Sequence, residues 1–199
     1  MQQRRGDARG QQFPPVTTVL GDAEKRMQRT VEVLRREVST IRTGRASASL
    51  VEGIPVDYYG TPTPLNQLAT ITVPEARLIV IQPWDRQAVP LIERALLKSE
   101  LGVTPSTEGQ TVRVPIPPLT EERRRELVKV LRRKVEEAKV AVRNIRRDAL
   151  EVLREMEKGK ALSQDELRRH QEQLQKLTDR YTGEMDKVAA QKEAEIMQV

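Results

Sequence analysis

From Leu20 to Ile41 apolar side chains return every three or four residues, at Leu20, Ala23, Met27, Val31, Leu34, Val38 and Ile41. That spacing draws one narrow stripe along an α-helix, and Gly44 is a natural stop for it. A helix of about 24 residues is about 36 Å long at 1.5 Å per residue. A second stripe runs through Leu127, Leu131, Val135, Ala138, Val142, Ile145, Ala149, Val152 and Met156. Thr120 opens it, Glu121 and Glu122 occupy its first turn where they oppose the helix dipole, and Gly159 closes it. Ser163-Gln164-Asp165-Glu166 is a capping box that starts a third helix, with Leu167, Leu174, Leu177, Tyr181, Met185, Val188 and Ile196 inward. A helix with one apolar stripe does not bury it alone, so the three are predicted to pack as a bundle.

Between residues 45 and 118 the pattern changes. "IPVDYYG", "ATITV", "ARLIVIQP" and "TVRVPIP" are strand-length runs of β-branched and aromatic residues punctuated by proline. "DRQAVPLIERALLKSELG" reads as a helix, with Asp85 as cap, Pro90 early and Gly102 at its close. The organisation predicted is α+β. A three-helix bundle, discontinuous over 18–44 and 119–199, carries an inserted domain at 45–118 with a mixed or antiparallel sheet and one clear helix. "TGR" and "PIPPLT" join the two. Residues 1–17 lack periodicity and are read as a disordered tail.

Composition narrows the chemistry. Of 199 residues, 37% are hydrophobic, 3% aromatic and 32% charged, which favours long exposed helices over a thick core. Without cysteine there are no disulfides or thiolate metal sites, and His170 is the only histidine, in the polar run "DELRRHQEQLQ". "GTPTP" lacks the lysine that a phosphate-cradling loop needs. No catalytic residue, metal or cofactor is therefore expected. No apolar run reaches the roughly 18 residues of a membrane span. A cytoplasmic protein, monomeric and without membrane contact, is expected.

The net charge of +6 raises a polyanionic partner, and its distribution sharpens that reading. Eleven Lys and Arg against five Glu between Thr120 and Arg147 account for an excess equal to that of the whole chain. Arg125, Lys129, Arg132, Lys139, Arg143 and Arg146 form one stripe, interrupted by Glu136, at the border of the apolar face. A solvated face held by i,i+4 pairs explains it poorly, because Glu122/Glu126 and Arg125/Lys129 are like-charged. "RNIRRDA" adds Arg147, and no acid intervenes before Asp148. Phosphate binding is favoured, and arginine suits forked contacts to phosphate oxygens. Scarce aromatics argue against base stacking along a single strand, so structured RNA read by backbone and shape fits better. Of Tyr58 and Tyr59, which alternate across a strand, one is expected in the core and one outside. Trp84 is expected in the core, and Asp85 as a helix cap.

The stretches "IRTGRAS", "YYGTPTPLNQLATITVPE", "LGVTPSTEG", "PIPPLTEERRRELVK", "VAVRNIRRDA", "QKLTD" and "KEAEIM" closely resemble the bacterial ribosome recycling factor family. They keep the family's order and spacing and cover roughly Leu20 to Val199. The resemblance implies a three-helix bundle with an inserted β/α/β domain on two hinge segments, L-shaped with a tRNA-like outline. It implies a factor that binds the post-termination ribosome and, with elongation factor G and GTP, splits the subunits so that messenger RNA and tRNA leave. Arg146 matches the arginine that contacts large-subunit ribosomal RNA, and Arg143, Arg42 and Arg45 match further basic positions of that surface. Thr43, Gly44 and Arg45, with Pro118, Leu119 and Thr120, match the hinge segments, and Pro117 stiffens the second of these. The alternatives from the residues alone are a helical-bundle RNA chaperone and a coiled-coil adaptor.

Overall fold

Residues 12–198 are described by the computed structural model. They divide into two compact units: the chain through Ile41 together with Arg124–Gln198, and Arg42–Arg123. Residues 1–11 of the expected tail lie outside the described residues.

The first unit is built from α1 (Val16–Ser39), most of α3 (Glu121–Lys158) and α4 (Gln164–Met197). Val16 and Thr17, expected in the tail, already belong to α1. Pro15 (φ −58°) sits before them, and its carbonyl accepts the N–H groups of Thr18 and Val19. Proline's fixed φ suits a helix entry, where the missing N–H has no partner to lose. Val19, Ala23, Met27, Val31, Leu34 and Val38 are buried, whereas Leu20 is only half-buried. The helix ends at Ser39, earlier than Gly44. Ser39 Oγ donates to the Arg36 carbonyl at 2.6 Å and Thr40 Oγ1 to that of Glu37 at 2.7 Å. These hydroxyls occupy the last carbonyls and compete with continuation of the helix.

The core face of α3 is Leu127, Val128, Leu131, Val135, Val142, Ile145, Ala149, Leu153 and Met156. Leu153 is fully buried where Val152 was expected, and Val152 is 37% exposed. At about 100° per residue Leu153 lies about 40° round the helix from Ala149, and Val152 about 60° to the other side. In α4, Leu174, Tyr181, Met185 and Ile196 are buried with Thr178, whose hydroxyl donates to the Leu174 carbonyl at 2.8 Å. Tyr181 donates its phenol to Glu24 Oε1 at 2.9 Å; burial, and then that carboxylate, hold its pKa above the usual 10.0. Arg132–Glu193 and Lys139–Asp186 step in opposite directions along α3 and α4, and so do Arg26–Asp148 and Lys134–Glu37 along α1 and α3. The bundle thus runs up, down and up.

The reversal between α3 and α4 has an unexpected occupant. Gly159 follows the last residue of α3, as expected, but the left-handed residue is its neighbour Lys160, at φ 60°. Ala161 N–H reaches the Met156 carbonyl and Lys160 N–H that of Glu157, the two bonds of a Schellman motif. Ser163 and Glu166 then form the expected capping box for α4.

The second unit holds the sheets. β1 (Pro55–Tyr58) and β2 (Thr61–Pro64) form a hairpin whose two-residue turn, Tyr59-Gly60, has positive φ at both positions (50° and 78°). β3 (Ala69–Glu75), β4 (Leu78–Pro83), β5 (Ser106–Glu108) and β6 (Thr111–Pro115) pair antiparallel in the order β3-β4-β6-β5. α2 (Ala88–Lys98) brings Ala88, Val89, Ile92 and Leu96 into one cluster with Val56, Ile79, Ile81, Val112 and Val114. It stops at Ser99, before Gly102. β2, "TPTP", escapes sequence reading because its prolines mimic a loop; they are tolerated on a ribbon edge.

Tyr58, the last residue of β1, is half-buried rather than in the core, and Tyr59 is exposed because it sits in the hairpin turn, not because it alternates along a strand. Trp84 is not in the core. It is 65% exposed, because the alternation of β4 turns Ile79, Ile81 and Pro83 inward and leaves the next residue outside. Its indole N–H donates to Thr70 Oγ1 at 3.1 Å. Asp85 is not the cap of α2, whose N-cap is Gln87 without a side-chain bond; it closes the turn before the helix instead, accepting the Gln87 N–H on Oδ1 and the Tyr58 hydroxyl on Oδ2, each at 2.9 Å.

Candidate nucleic-acid interface

Placed at about 100° per residue, Arg125, Lys129, Arg132, Lys139, Arg143, Arg146 and Arg147 fall in a sector about 100° wide on α3. The ion pairs to Glu193 and Asp186 show that this sector borders α4. All seven lie in the helical unit. Arg42 and Arg45 are exposed and belong to the sheet-bearing unit, as do Thr43, Gly44, Pro117, Pro118, Leu119 and Thr120.

The cations of the α3 sector differ in their company. Arg132 Nη2 meets Glu193 Oε1 at 2.8 Å, Lys139 meets Asp186, and Arg143 Nη1 meets Glu136 Oε1 at 3.1 Å. Glu136 therefore does more than interrupt the stripe. Arg146 differs, because its Nη1 donates to the amide oxygen Oε1 of Gln175 at 2.6 Å. Gln175 in turn donates from Nε2 to Asp179 Oδ1 at 2.8 Å. Its contact is a neutral amide, so the guanidinium is oriented without being neutralised and keeps donors for another ligand. Lys129 and Arg147 are exposed and make no ion pair among the described residues.

Counting charges along 120–147 missed two things. Glu193 and Asp186 sit on α4, tens of residues away in sequence. The sector also continues past Arg147: Leu150 and Arg154 lie within it, and together with Arg146, Gln171, Leu174 and Gln175 they line a groove of about 320 Å³. The signal was present in the spacing, since Arg154 follows Arg146 by eight residues, slightly over two turns.

The connectors have their own geometry within the sheet-bearing unit. Residues 42–47 and 116–120 have no helix or strand, and Ala46 N–H and Ile116 N–H bond the carbonyls of Ala76 and Arg77, at 2.7 and 2.8 Å, in the β3–β4 turn. Gly44 has φ +73°, and a Cβ there would stand 3.1 Å from Leu119 Cγ. Thr120 Oγ1 accepts the Arg123 N–H at 3.1 Å and so starts α3. Among the described residues no group of three or more His, Cys, Asp or Glu could hold a metal ion. No helix among them is long and apolar enough to cross a membrane. His170 pairs with Gln173 through Nδ1 at 2.9 Å.

Residues 34–197 match the family model described as ribosome recycling factor. The chain belongs to the ribosome recycling factor family. Among curated members of the family, the ribosome-recycling factor of Nitratidesulfovibrio vulgaris (strain DP4) is 58% identical over 182 residues, covering 92% of this chain and 98% of its own. That of Thermomicrobium roseum is 56% identical over 184 residues, covering 92% of this chain and 100% of its own. A solution structure of the ribosome recycling factor is similar at a TM-score of 0.70 and 49% identity, over 94% of this chain and 100% of its own. A further similar structure, at a TM-score of 0.60 and 43% identity over 92% of this chain and 99% of its own, is that of the T. thermophilus ribosome recycling factor. It is bound with E. coli elongation factor G to the E. coli post-termination complex. The three-helix bundle and sheet-bearing insertion are thus the architecture of this family.

Proposed function

We propose that this chain is a ribosome recycling factor: it binds the post-termination ribosome and, with elongation factor G and GTP, separates the subunits so that messenger RNA and tRNA are released. Membership of the family supports this, as does the similar structure of a family member together with elongation factor G on a post-termination complex. The work is done by binding and motion, with no catalytic residue and no resident cofactor, and the cytoplasm is where its partners are.

The α3 sector is the face that meets large-subunit ribosomal RNA, and Arg146 is its anchor. The observation that carries this is the Arg146–Gln175 bond, in which a neutral amide holds a guanidinium in place and leaves its full charge for a phosphate. Lys129 and Arg147 add unpaired charge, Arg125 lies on the same face, and Arg132, Lys139 and Arg143 add cations that must exchange a carboxylate for a phosphate. Arg42 and Arg45 are further basic contacts. Thr43, Gly44, Arg45, Pro117, Pro118, Leu119 and Thr120 are the hinge: two short connectors absorb the change in backbone angles when elongation factor G acts, while Pro117 and Pro118 restrict the second to few conformations.

The test is sedimentation of the full chain with purified large subunits across a salt series. Binding should weaken steeply as salt rises. Arg146→Ala should lose most of the binding with its melting temperature unchanged, and subunit splitting with elongation factor G should fall in parallel. Wild-type affinity in Arg146→Ala removes the anchor. Equal binding to unstructured RNA of any sequence would indicate an annealing factor instead.

A further inference from the structure

The groove beside Arg146 has a composition that the phosphate reading leaves unexplained. Its two arginines, Arg146 and Arg154, are eight residues and about 12 Å of helix rise apart along α3, a spacing of backbones that suits neighbouring phosphates. Leu150 and Leu174 lie between α3 and α4 at its floor. Leu150 is half-buried, and Leu174 is only 1% exposed. Two glutamines complete the lining. Gln175 is engaged with Arg146 and Asp179, while Gln171 is half-buried and its amide makes no hydrogen bond among the described residues. No carboxylate among the described residues lines the groove.

We propose that this groove is a subsite for one unstacked nucleotide of the large-subunit RNA. Its base lies on Leu150 and Leu174 with an edge toward the Gln171 amide, and its flanking phosphates meet Arg146 and Arg154. Several observations select this occupant. The lining is cationic without a compensating acid, which favours a polyanion over a peptide. An apolar floor has no use for a bare phosphate but suits the face of a base, and splayed bases are what proteins read in structured RNA. A half-buried amide with unused donor and acceptor suits the edge of a base. The volume, about 320 Å³, lies at the lower end of the range of small-ligand clefts. The groove also continues the sector already assigned to RNA, so the proposal rests on that reading and gives Arg154, Leu150 and Gln171 roles within it.

The experiment uses the full chain and purified large subunits, with affinity measured across a salt series and base reactivity of the ribosomal RNA probed by dimethyl sulfate or a carbodiimide. Arg154 is exposed, so its replacement leaves the fold intact. Arg154→Ala should lower the slope of log affinity against log salt by about 0.7–0.9. Leu150→Ala should weaken binding about fivefold with the slope unchanged, since it removes apolar contact and no charge. One large-subunit nucleotide should be shielded by wild-type protein and react again with either variant. If Arg146→Ala weakens binding while Arg154→Ala and Leu150→Ala match wild type in affinity, slope and shielding, the subsite is overturned and the RNA face stands. If Arg146→Ala also binds like wild type, the RNA face falls with it.

Discussion

Gly44 is a point where conformation and contact can be weighed separately. Its φ of +73° puts an L-residue in the left-handed region, which costs about 1–2 kcal/mol. Alanine recovers about 0.4–1 kcal/mol by restricting the unfolded chain. Its Cβ would also press on Leu119 Cγ at 3.1 Å, a contact that a half-buried leucine relieves by shifting slightly. The net expectation for Gly44→Ala is a loss of about 1 kcal/mol from the sheet-bearing unit, or about 4–8 °C in its midpoint for a unit of this size. Trp84 makes this measurable, because it is the only tryptophan and belongs to that unit, so its fluorescence follows the sheets. Far-ultraviolet circular dichroism is dominated by the long helices and follows the bundle. The fluorescence midpoint should fall while the dichroism midpoint holds. A double-mutant cycle with Leu119→Ala isolates the steric part from the backbone part. An unshifted fluorescence midpoint in Gly44→Ala would refute the reasoning, because it would mean the connector is not fixed at this angle in the folded unit.

Three other perturbations follow from the same kind of accounting. Lys160→Gly removes a side chain from the left-handed position that closes α3, and should stabilise the bundle by about 0.5–1 kcal/mol in a dichroism melt, with no gain if that angle is not held. Tyr181→Phe deletes the donor to Glu24 and should cost about 1 kcal/mol in urea unfolding at neutral pH. Because Tyr181 has a folded pKa above its unfolded value, its contribution is complete below about pH 10 and fades as pH climbs through the raised value, so the gap between wild type and variant should narrow in alkali. Glu136→Gln frees Arg143 and should tighten large-subunit binding while steepening its salt slope by up to about 0.9; weaker binding would mean that the pair serves the fold alone.

The helices were legible because each must bury one stripe, and a period of 3.6 survives in any sequence that does so. Their ends were less so. Ser39 and Thr40 stop α1 through hydroxyl-to-carbonyl bonds that no apolar pattern registers. Lys160 usurps the position glycine would normally take, and Thr178 hides in the core by bonding its own helix. In the sheet-bearing unit β2 was masked by two prolines, and β5 is three exposed residues with nothing to alternate. Trp84 was misplaced because it ends an apolar strand, whereas the alternation of β4 decides the side. At the candidate interface, charge counting marks out the α3 sector but does not tell paired from unpaired cations. That distinction depends on Glu193, Asp186 and Gln175, which only folding brings alongside α3.

Those internal carboxylates have a thermodynamic consequence. A phosphate arriving at Arg132, Lys139 or Arg143 replaces an anion already there, an exchange that returns little net energy, whereas one arriving at an unshared guanidinium gains the whole interaction. If the α3 sector is the RNA face proposed above, adhesion is concentrated in a few positions, and the remaining cations form a graded cushion that sets register. A ligand held so unevenly detaches once its principal foothold is disturbed, which suits a factor whose task ends in departure.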